Sequence, residues 1–310
     1  MSFSVLLAGD RGMCAGVHRA ISTVEKALER YRGTEVYVLH EVVHNRHVVA
    51  ALKEQGAVFV EDLKEVPDGS VLIFSAHGVG KDIEREAAAR QLTVIDATCP
   101  VVSGIHRKMN KAASAGLEAV VIGHKGHQEV IGTIGQYTGD PALVHVLLTP
   151  QEVDELALDG ERAIFATQTT LSVEETALTV RRLRERYPHI KGPKADDTCT
   201  ATQRRQNAVR ALAQRCEVVL IVGSANSSNS NRLREVAQRE GARSYLVDDA
   251  AEVEAGWLEG ATQVGVSAGA SVPEYLVSEL LTYLKERGAT QVQELSSPDP
   301  DREFPLPGGL

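Results

Sequence analysis

The sequence predicts an α/β protein built from small parallel sheets. Short apolar runs rich in β-branched residues alternate with amphipathic helical segments, and no hairpin signal joins neighbouring strands. The pattern also repeats three times with a period of about 85 to 100 residues, which suits a domain rather than a solenoid repeat. We therefore expect three α/β domains at 14–98, 99–195 and 196–295.

Each repeat begins at a cysteine that lies between a strand and a helix. Cys14 in RGMCAGVHRAI follows the apolar run Val5–Ala8, Cys99 lies in IDATCPVVSGIHRKM, and Cys199 lies in ADDTCTATQRRQNAV. Pro100 suits the first position of a helix. A single cysteine at such a turn is usually a small buried hydrophobe. Its recurrence at three equivalent turns favours a shared role, because free N–H groups at a helix start stabilise a thiolate.

The remainder of each repeat places polar side chains after further strands. In each repeat, a strand ends in HEVVHN, GHKGHQE or GSANSSNSN. A further strand, an acidic helix, a glycine turn and a last strand follow, and the last strand ends in SAHG, ATQTT or SAGAS. The segment Thr149–Glu152 is a capping box for the acidic helix of the middle repeat. Ligands of open parallel sheets bind at the carboxyl ends of strands. Three domains arranged around an axis would therefore share one central cavity.

Composition excludes several classes of function. The net charge is −9 and aromatic residues make up 4% of the chain, which disfavours a nucleic-acid groove of basic patches and stacking rings. No apolar run approaches the roughly 20 residues that span a bilayer, and the opening segment is too short for a signal peptide. We expect a cytoplasmic chain whose cysteines are reduced and which does not bind a membrane.

Three converging thiolates suggest a metal site, and the residues leave two kinds open. Zinc with three cysteines usually has a fourth protein ligand and short ligand spacings, and neither is evident. A 4Fe–4S cluster on three cysteines would leave one iron for a substrate. His40–His44 matches H-E-x-x-H, but we expect it to continue a strand, where its histidines lie about 13 Å apart and cannot share a zinc ion. Cys216 lies outside the repeat, and we expect a packed or surface thiol there.

The remaining polar clusters suit an anion. His44, His77 and His127 can each donate a hydrogen bond, and 227–229 (Ser-Ser-Asn) at a helix start offers hydroxyl, amide and backbone donors. Glu129 is a carboxyl group among these polar ends. Beside a cluster and an anion we expect the pKa of Glu129 to be raised, which would make its carboxyl group a proton donor. The alternative is that Glu129 is a solvated glutamate at a helix start.

These motifs together resemble those of the 4-hydroxy-3-methylbut-2-enyl diphosphate reductase family. The resemblance covers RGMCAGVHRAI, HEVVHN, FSAHGV, DATCP, IGHKGHQEV, ATQTTLS, DDTC, GSANSSNSNRL and SAGAS, in order over almost the whole chain. Only the tail at 296–310 matches weakly. Met13, His18 and Arg204 differ from the expected motif residues, and none of the three is a ligand or catalytic position.

The resemblance implies a fold, a cofactor and a set of site residues. It implies three pseudo-threefold-related domains around a central 4Fe–4S cluster, with strand 1–13 completing the third domain. It implies that the cluster ligands are Cys14, Cys99 and Cys199. It implies Glu129 and Thr169 in proton delivery. It implies that the substrate is held by His44, His77, His127, Thr169, Ser227, Ser228, Asn229 and Ser271.

The implied reaction is reductive dehydroxylation of 4-hydroxy-3-methylbut-2-enyl diphosphate to isopentenyl and dimethylallyl diphosphate. Two electrons pass through the cluster, whose open iron faces the substrate hydroxyl, and reduced ferredoxin or flavodoxin is the implied donor. Two alternatives remain. A non-enzymatic iron–sulfur electron carrier should not bind diphosphates, and a zinc-dependent hydrolase of a phosphorylated substrate should be colourless and bind zinc.

Overall fold

Three parallel sheets organise the protein in a computed structural model that describes residues 2–194, 196–297 and 303–310. The described residues form twelve strands: β1 Phe3–Leu7, β2 Val36–Leu39, β3 Ala57–Val60, β4 Val71–Phe74, β5 Thr93–Asp96, β6 Glu118–Ile122, β7 Val144–Leu147, β8 Ala163–Thr167, β9 Val218–Val222, β10 Arg243–Val247, β11 Gln263–Ala268 and β12 Ala289–Glu294. The strand orders are β10-β9-β11-β1-β12, β3-β2-β4-β5 and β7-β6-β8. The predicted α/β class with small parallel sheets is confirmed.

Helices connect these strands, as parallel pairing requires. In the same described part of the chain they are α1 Ala15–Arg30, α2 Arg46–Glu54, α3 Lys81–Ala89, α4 Pro100–Ser114, α5 Gln128–Gly135, α6 Pro150–Glu155, α7 Val173–Arg186, α8 Thr200–Ala213, α9 Ser228–Arg239 and α10 Glu274–Glu286. No helix among the described residues is long and apolar enough to cross a membrane.

Contacts divide the chain into two units. The first holds the described residues of Met1–His18, His44–Ala50 and Thr200–Glu303, and the second holds those of Arg19–Val43, Ala51–Cys199 and Phe304–Leu310. The three-domain boundaries stay a prediction. Met1 of the predicted opening strand, Ala195 at the predicted end of the second domain and residues 298–302 of the tail lie outside the described residues.

The first unit contains the five-stranded sheet between two helical layers. One face of β9 packs through Val218, Leu220 and Val222 into a core with α10, and the other face packs through Val219 and Ile221 against α8 and α9. The opening strand β1 pairs with β11 on one side and with β12 on the other. The carboxyl ends of β9 and β11 therefore lie side by side, and the predicted polar segments follow them directly.

The second unit contains the other two sheets. The three-stranded sheet packs through Val120, Ile122 and Phe165 toward α7, and through Val121 and Ile164 toward α4 and α5. The four-stranded sheet packs through its own apolar strands against α3. In both sheets the predicted polar segments follow the carboxyl ends of strands: the central strands β2, β4 and β6, and the edge strand β8.

Two predicted segments differ from the structure. The acidic segment of each repeat is an α-helix only in the middle repeat, where Thr149 and Glu152 form the predicted capping box of α6. In the first repeat it is a single 3₁₀ turn, Leu63–Glu65, because Val66 before a proline takes an extended conformation. In the third repeat it is two 3₁₀ turns, Ala250–Glu252 and Ala255–Leu258.

The H-E-x-x-H segment is neither helix nor strand. Strand β2 ends at Leu39, and His40 has a φ of 58°, a left-handed conformation that no strand residue adopts. The expected continuation of the strand is therefore wrong. Asn45 directly precedes α2, and its Oδ1 accepts a hydrogen bond from Val48 N–H in the first turn of that helix at 3.0 Å.

Candidate active site

All three repeat cysteines lie directly before a helix. Cys14 precedes α1, Cys99 is the N-cap of α4 with Pro100 in its first turn, and Cys199 precedes α8. The three side chains are half-buried, and none of the three forms a disulfide. Each of these cysteines thus lies at the N-terminal, positive end of a helix dipole.

The backbone of each cysteine is held by the end of a neighbouring strand. Cys14 N–H donates to Ala270 O at 3.1 Å, Cys99 N–H to Ala76 O at 3.0 Å, and Cys199 N–H to Thr169 O at 3.2 Å. The three acceptors belong to the SAGAS, SAHG and ATQTT segments. The same contact, between a cysteine loop and a polar segment at a strand end, is therefore made three times.

The shared D-x-T-C motif forms the same turn in two places. Asp96 Oδ1 accepts a hydrogen bond from Thr98 N–H at 2.9 Å, and Asp196 Oδ1 accepts one from Thr198 N–H at 2.6 Å. This aspartate turn bends the chain immediately before Cys99 and Cys199. It explains why the motif needs an aspartate three residues before the cysteine.

In the second unit, Glu129 is buried against Thr169. Only 3% of Glu129 is exposed. Thr169 N–H donates to Glu129 Oε1 at 2.6 Å, and the Thr169 hydroxyl donates to Oε2 at 2.8 Å. The carbonyl of Thr169 also accepts the hydrogen bond from Cys199 N–H. One threonine thus connects a buried carboxyl group to a cysteine loop.

Two of the three predicted histidines meet next to this carboxyl group. His127 is the N-cap of α5, and its Nδ1 accepts a hydrogen bond from Glu129 N–H at 3.1 Å. The rings of His77 and His127 are edge to face with centroids 5.9 Å apart. His77 follows Ala76, the acceptor of Cys99 N–H. The structure therefore brings together His77, His127, Glu129, Thr169 and the loops of Cys99 and Cys199.

Gln168 was not identified from the sequence, although it organises the same strand end. Its Oε1 accepts a hydrogen bond from His124 N–H at 3.0 Å, and its Nε2 donates to Thr170 Oγ1 at 2.8 Å. Its side chain therefore joins the ends of β6 and β8. Its place within the polar ATQTT segment is the signal that could have indicated it.

The first unit holds the remaining predicted residues. Ser227 is the N-cap of α9 and is buried, whereas Ser228 is half-buried. Asn229 Oδ1 accepts a hydrogen bond from Ala270 N–H at 2.8 Å, and Ser271 Oγ donates to His44 O at 2.9 Å. Ala270 is also the residue whose carbonyl holds Cys14. The loops of Cys14, His44, 227–229 and Ser271 therefore form one connected group.

Asn229 has an unused donor in this group. Its side-chain Nδ2 is buried and has no hydrogen-bond partner, while its Oδ1 is engaged. Asn45 Nδ2 is in the same state. A buried donor without a partner costs free energy that a bound acceptor restores. The oxygens of a diphosphate are acceptors of this kind, so the arrangement fits the predicted anion.

Cys216 differs from the other thiols. It is buried in the core between β9 and α8, and a side chain at Gly265 would lie 3.3 Å from its sulfur. Burial raises its pKa to about 12. Of the two readings given above for this residue, the structure shows the packed thiol.

The three repeat thiols suit an iron–sulfur cluster by their chemistry. Cysteine thiolates are the usual ligands of such clusters, and helix N-termini supply N–H groups of the kind that tune them. Within the described residues, no group of three or more His, Cys, Asp or Glu side chains is arranged to hold one metal ion. A cluster would make no such demand, because each of the three cysteines would ligate a separate iron.

Comparisons with known proteins agree on one family. The family model described as LytB protein matches residues 5–285. The 4-hydroxy-3-methylbut-2-enyl diphosphate reductase of Psychrobacter arcticus is 52% identical over 308 residues, which cover 99% of this chain and 96% of that protein. The enzyme of the same name from Aeromonas hydrophila is 52% identical and covers 99% of both chains.

Solved structures give the same result. The E-1-hydroxy-2-methyl-but-2-enyl-4-diphosphate reductase of Plasmodium falciparum matches with a TM-score of 0.94 and 32% identity, over 99% of this chain and 96% of that one. A structure of (E)-4-hydroxy-3-methyl-but-2-enyl diphosphate reductase, described as the terminal enzyme of the non-mevalonate pathway, matches with a TM-score of 0.65 and 32% identity. The match covers 92% of this chain and 99% of that one.

Proposed function

The chain belongs to the LytB protein family, and we propose that it reductively removes the hydroxyl group of 4-hydroxy-3-methylbut-2-enyl diphosphate. Its relatives are reductases of that diphosphate and match nearly the whole chain, so the chain is an enzyme of the same family. The products are isopentenyl diphosphate and dimethylallyl diphosphate. The carbon–oxygen bond breaks, two electrons and two protons are consumed, and water leaves.

The observation that carries this proposal is the double contact of Thr169. Its side chain and N–H bind the buried carboxyl group of Glu129, and its carbonyl binds the N–H of Cys199. A proton source and a metal-ligating loop are thereby fixed on one residue. A hydrolase of phosphate esters has no need of that pairing, and neither has a simple electron carrier.

The proposed cofactor is one 4Fe–4S cluster per chain, held by Cys14, Cys99 and Cys199. When bound, such a cluster supplies electrons one at a time and offers an iron without a cysteine ligand to the substrate's hydroxyl group. The residues of the chain supply the thiolates, the helix N-termini behind them and the proton.

Glu129 is the proposed proton source and Thr169 its relay. When Oε2 carries a proton, the hydrogen bond between these two side chains is reversed: Oε2 donates its proton to Thr169 Oγ, and the hydroxyl proton of Thr169 turns toward the leaving oxygen. The distance of 2.8 Å between these atoms suits such a transfer. Without a proton the hydroxyl group is a poor leaving group, so this transfer assists the breaking of the carbon–oxygen bond.

The proposed binding residues bind the diphosphate group, which is remote from the reacting carbon. They are His44, His77, His127, Thr169, Ser227, Ser228, Asn229 and Ser271. Contacts to the diphosphate orient the allylic end without changing during the reaction. Asn229 Nδ2 supports this role, because it is a buried donor without a partner.

The electron donor and the location are proposals of the same kind. Reduced ferredoxin or flavodoxin passes single electrons, which suits a one-electron cluster. Both work in the cytoplasm, where the thiols of this chain would stay reduced.

The test is anaerobic turnover with reduced methyl viologen as a chemical donor. Protein that carries the cluster should oxidise two viologens for each substrate consumed and form the two diphosphate products, identified by mass spectrometry. Release of phosphate without viologen oxidation would indicate the zinc hydrolase. Reversible oxidation of the protein without diphosphate binding would indicate the electron carrier.

A further inference from the structure

Arg205 is a buried cation that binds the loop of Cys14. Only 1% of this residue is exposed. Its Nε and Nη2 donate to Gly12 O at 2.9 and 2.7 Å, and its Nη1 donates to Ala201 O at 3.1 Å. Gly12 has a φ of 65°, which favours glycine. The guanidinium group of α8, the helix that follows Cys199, therefore fixes the turn two residues before Cys14.

Arg19 makes an equivalent contact with the loop of Cys99. It lies on α1, the helix that follows Cys14. Its Nη1 donates to Thr98 O at 3.0 Å and its Nη2 to Asp96 O at 3.4 Å. Its Nε donates to Pro305 O at 2.8 Å, so part of the C-terminal tail meets the same guanidinium. The carbonyl of the residue directly before Cys99 is therefore held by a cation from the helix of another cysteine.

Lys108 completes the pattern at the loop of Cys199. It lies on α4, the helix that follows Cys99. Its Nζ donates to Asp197 Oδ1 at 2.6 Å. The other oxygen, Oδ2, accepts a hydrogen bond from Thr167 N–H at 3.1 Å, and Asp197 N–H donates to Thr167 Oγ1 at 2.8 Å. The cation here fixes a side chain of the loop, whereas the two arginines fix carbonyls.

We propose that Arg19, Lys108 and Arg205 are positioning residues for the three thiols. Each helix that follows one cysteine supplies a cation to the loop in front of another, in the order Cys14 to Cys99, Cys99 to Cys199 and Cys199 to Cys14. The contact occurs once in every repeat. The inference rests on the proposed function only in naming a cluster as the group that the thiols bind.

The two ends of each cysteine loop are thereby fixed independently. The N–H of each cysteine is bound by a strand end, as at Cys14 and Ala270, while the preceding one to three residues are bound by a cation. A cysteine sulfur binds a cluster with higher affinity when its loop is already ordered, because less conformational entropy is lost on binding. Loss of one cation should loosen one loop and leave the other two as they are.

Hydrogen–deuterium exchange of the full chain tests this assignment directly. Arg19→Met should speed exchange in 94–99, Lys108→Met in 196–199 and Arg205→Met in 10–14. We expect an increase of about 10- to 100-fold in the assigned loop, since hydrogen bonds to charged groups are lost there. Matched controls on the same helices are Lys26→Met, Lys111→Met and Arg210→Met, which should change none of the three loops.

The alternative is that these cations stabilise the fold as a whole. Exchange would then rise across the entire chain in each variant, and that outcome, or no change in the assigned loop, would overturn the assignment. Arg205 is buried, so Arg205→Met can fail to fold. Arg205→Lys keeps the charge and one donor direction, and it should show a smaller increase that is still confined to 10–14.

A second measurement connects the loops to the cluster. Iron release to a chelator from anaerobically loaded protein should be about 10- to 100-fold faster in each positioning variant than in its control, the range for groups that orient metal ligands. Unchanged release with localised exchange would mean that the loops are held but do not limit the cluster, which overturns the positioning role. Protein that never takes up iron would contradict the proposed function and leave the exchange test valid.

Discussion

Thr169 donates two hydrogen bonds to the carboxyl group of Glu129, one from its N–H to Oε1 at 2.6 Å and one from its hydroxyl to Oε2 at 2.8 Å. The N–H of Glu129 in turn donates to His127 Nδ1. Backbone and side chain are thus fixed at both ends of the residue. A carboxyl group that donates a proton must be held in a fixed orientation, because proton transfer depends on the geometry between the donor and acceptor atoms.

Glu129→Gln should abolish most turnover while the cluster and substrate binding persist. The amide keeps the shape of the side chain but has no acidic proton. Loss of a general acid costs about 10²- to 10⁴-fold in rate. The measurement is viologen oxidation, beside a spectroscopic titration of the cluster with substrate. Glu155→Gln, an exposed change at the end of α6, is the control; near-normal turnover of Glu129→Gln would remove this carboxyl group from the reaction.

Thr169→Val tests the relay separately from the acid. Its N–H can still donate to Glu129 Oε1, but the hydroxyl on Oε2 is lost. A buried polar group that loses its hydrogen-bond partner costs about 1–3 kcal/mol, so turnover should fall about 10- to 100-fold. Thr169→Ser restores the hydroxyl and should recover most of the rate. Equal rates for the valine and serine variants would show that the hydroxyl has no part in proton transfer.

Asn229→Asp should weaken substrate binding selectively. The new carboxylate can still accept from Ala270 N–H, but it replaces the unpartnered Nδ2 donor with a negative charge facing an anion. The KM should rise about 10- to 100-fold, the range for a charge-assisted contact. Asn207→Asp makes the same chemical change at an exposed site on α8 and should leave KM unchanged. A lower kcat with an unchanged KM would contradict a binding role.

His106 should make the protein less stable in acid. Burial lowers its pKa to about 4; Lys81 acts in the same direction, and the carboxylates of Asp96 and Glu84 oppose it. The unfolded chain binds this proton near pH 6.5, so the stability from neutral His106 is complete above that pH. It is lost as the pH falls toward 4. By pH 5 the loss is about 2 kcal/mol.

Urea unfolding at pH 7.5 and pH 5 measures this effect. The wild type should lose about 2 kcal/mol more than His106→Gln between the two pH values. His189→Gln removes a histidine that is mostly exposed and should lose as much as the wild type. Parallel pH dependence in all three proteins would mean that His106 titrates normally.

The sequence predicts the parts of this fold that follow from local pattern. The strands β1, β6 and β9 can be predicted because each is buried on both faces and is therefore a continuous apolar run. The helix starts after the cysteines can be predicted because each follows a polar turn that ends the preceding strand. Thr149 and Pro100 signal their helices directly. The D-x-T-C repeat indicated a shared role, although only the structure shows its aspartate turn.

Long-range contacts were not predictable in the same way. Arg205 follows Arg204 in a helix of mixed polarity, and such a run reads as a solvated face, yet Arg205 is buried. Its partner Gly12 is 193 positions away in the sequence. The strand β12 is polar and mostly exposed, so its pairing with β1 is likewise set by contacts that a single sequence does not display.

Iron and acid-labile sulfide content of anaerobically prepared protein tests the central claim most directly. Wild-type protein should be brown, with iron and sulfide in near-equal amounts. Cys14→Ser, Cys99→Ser and Cys199→Ser should each lose most of both, whereas Cys216→Ser, at a buried thiol of the core, should keep them. Colourless wild-type protein with stoichiometric zinc, or loss of iron in Cys216→Ser and its retention in any of the other three, would contradict the three-cysteine cluster.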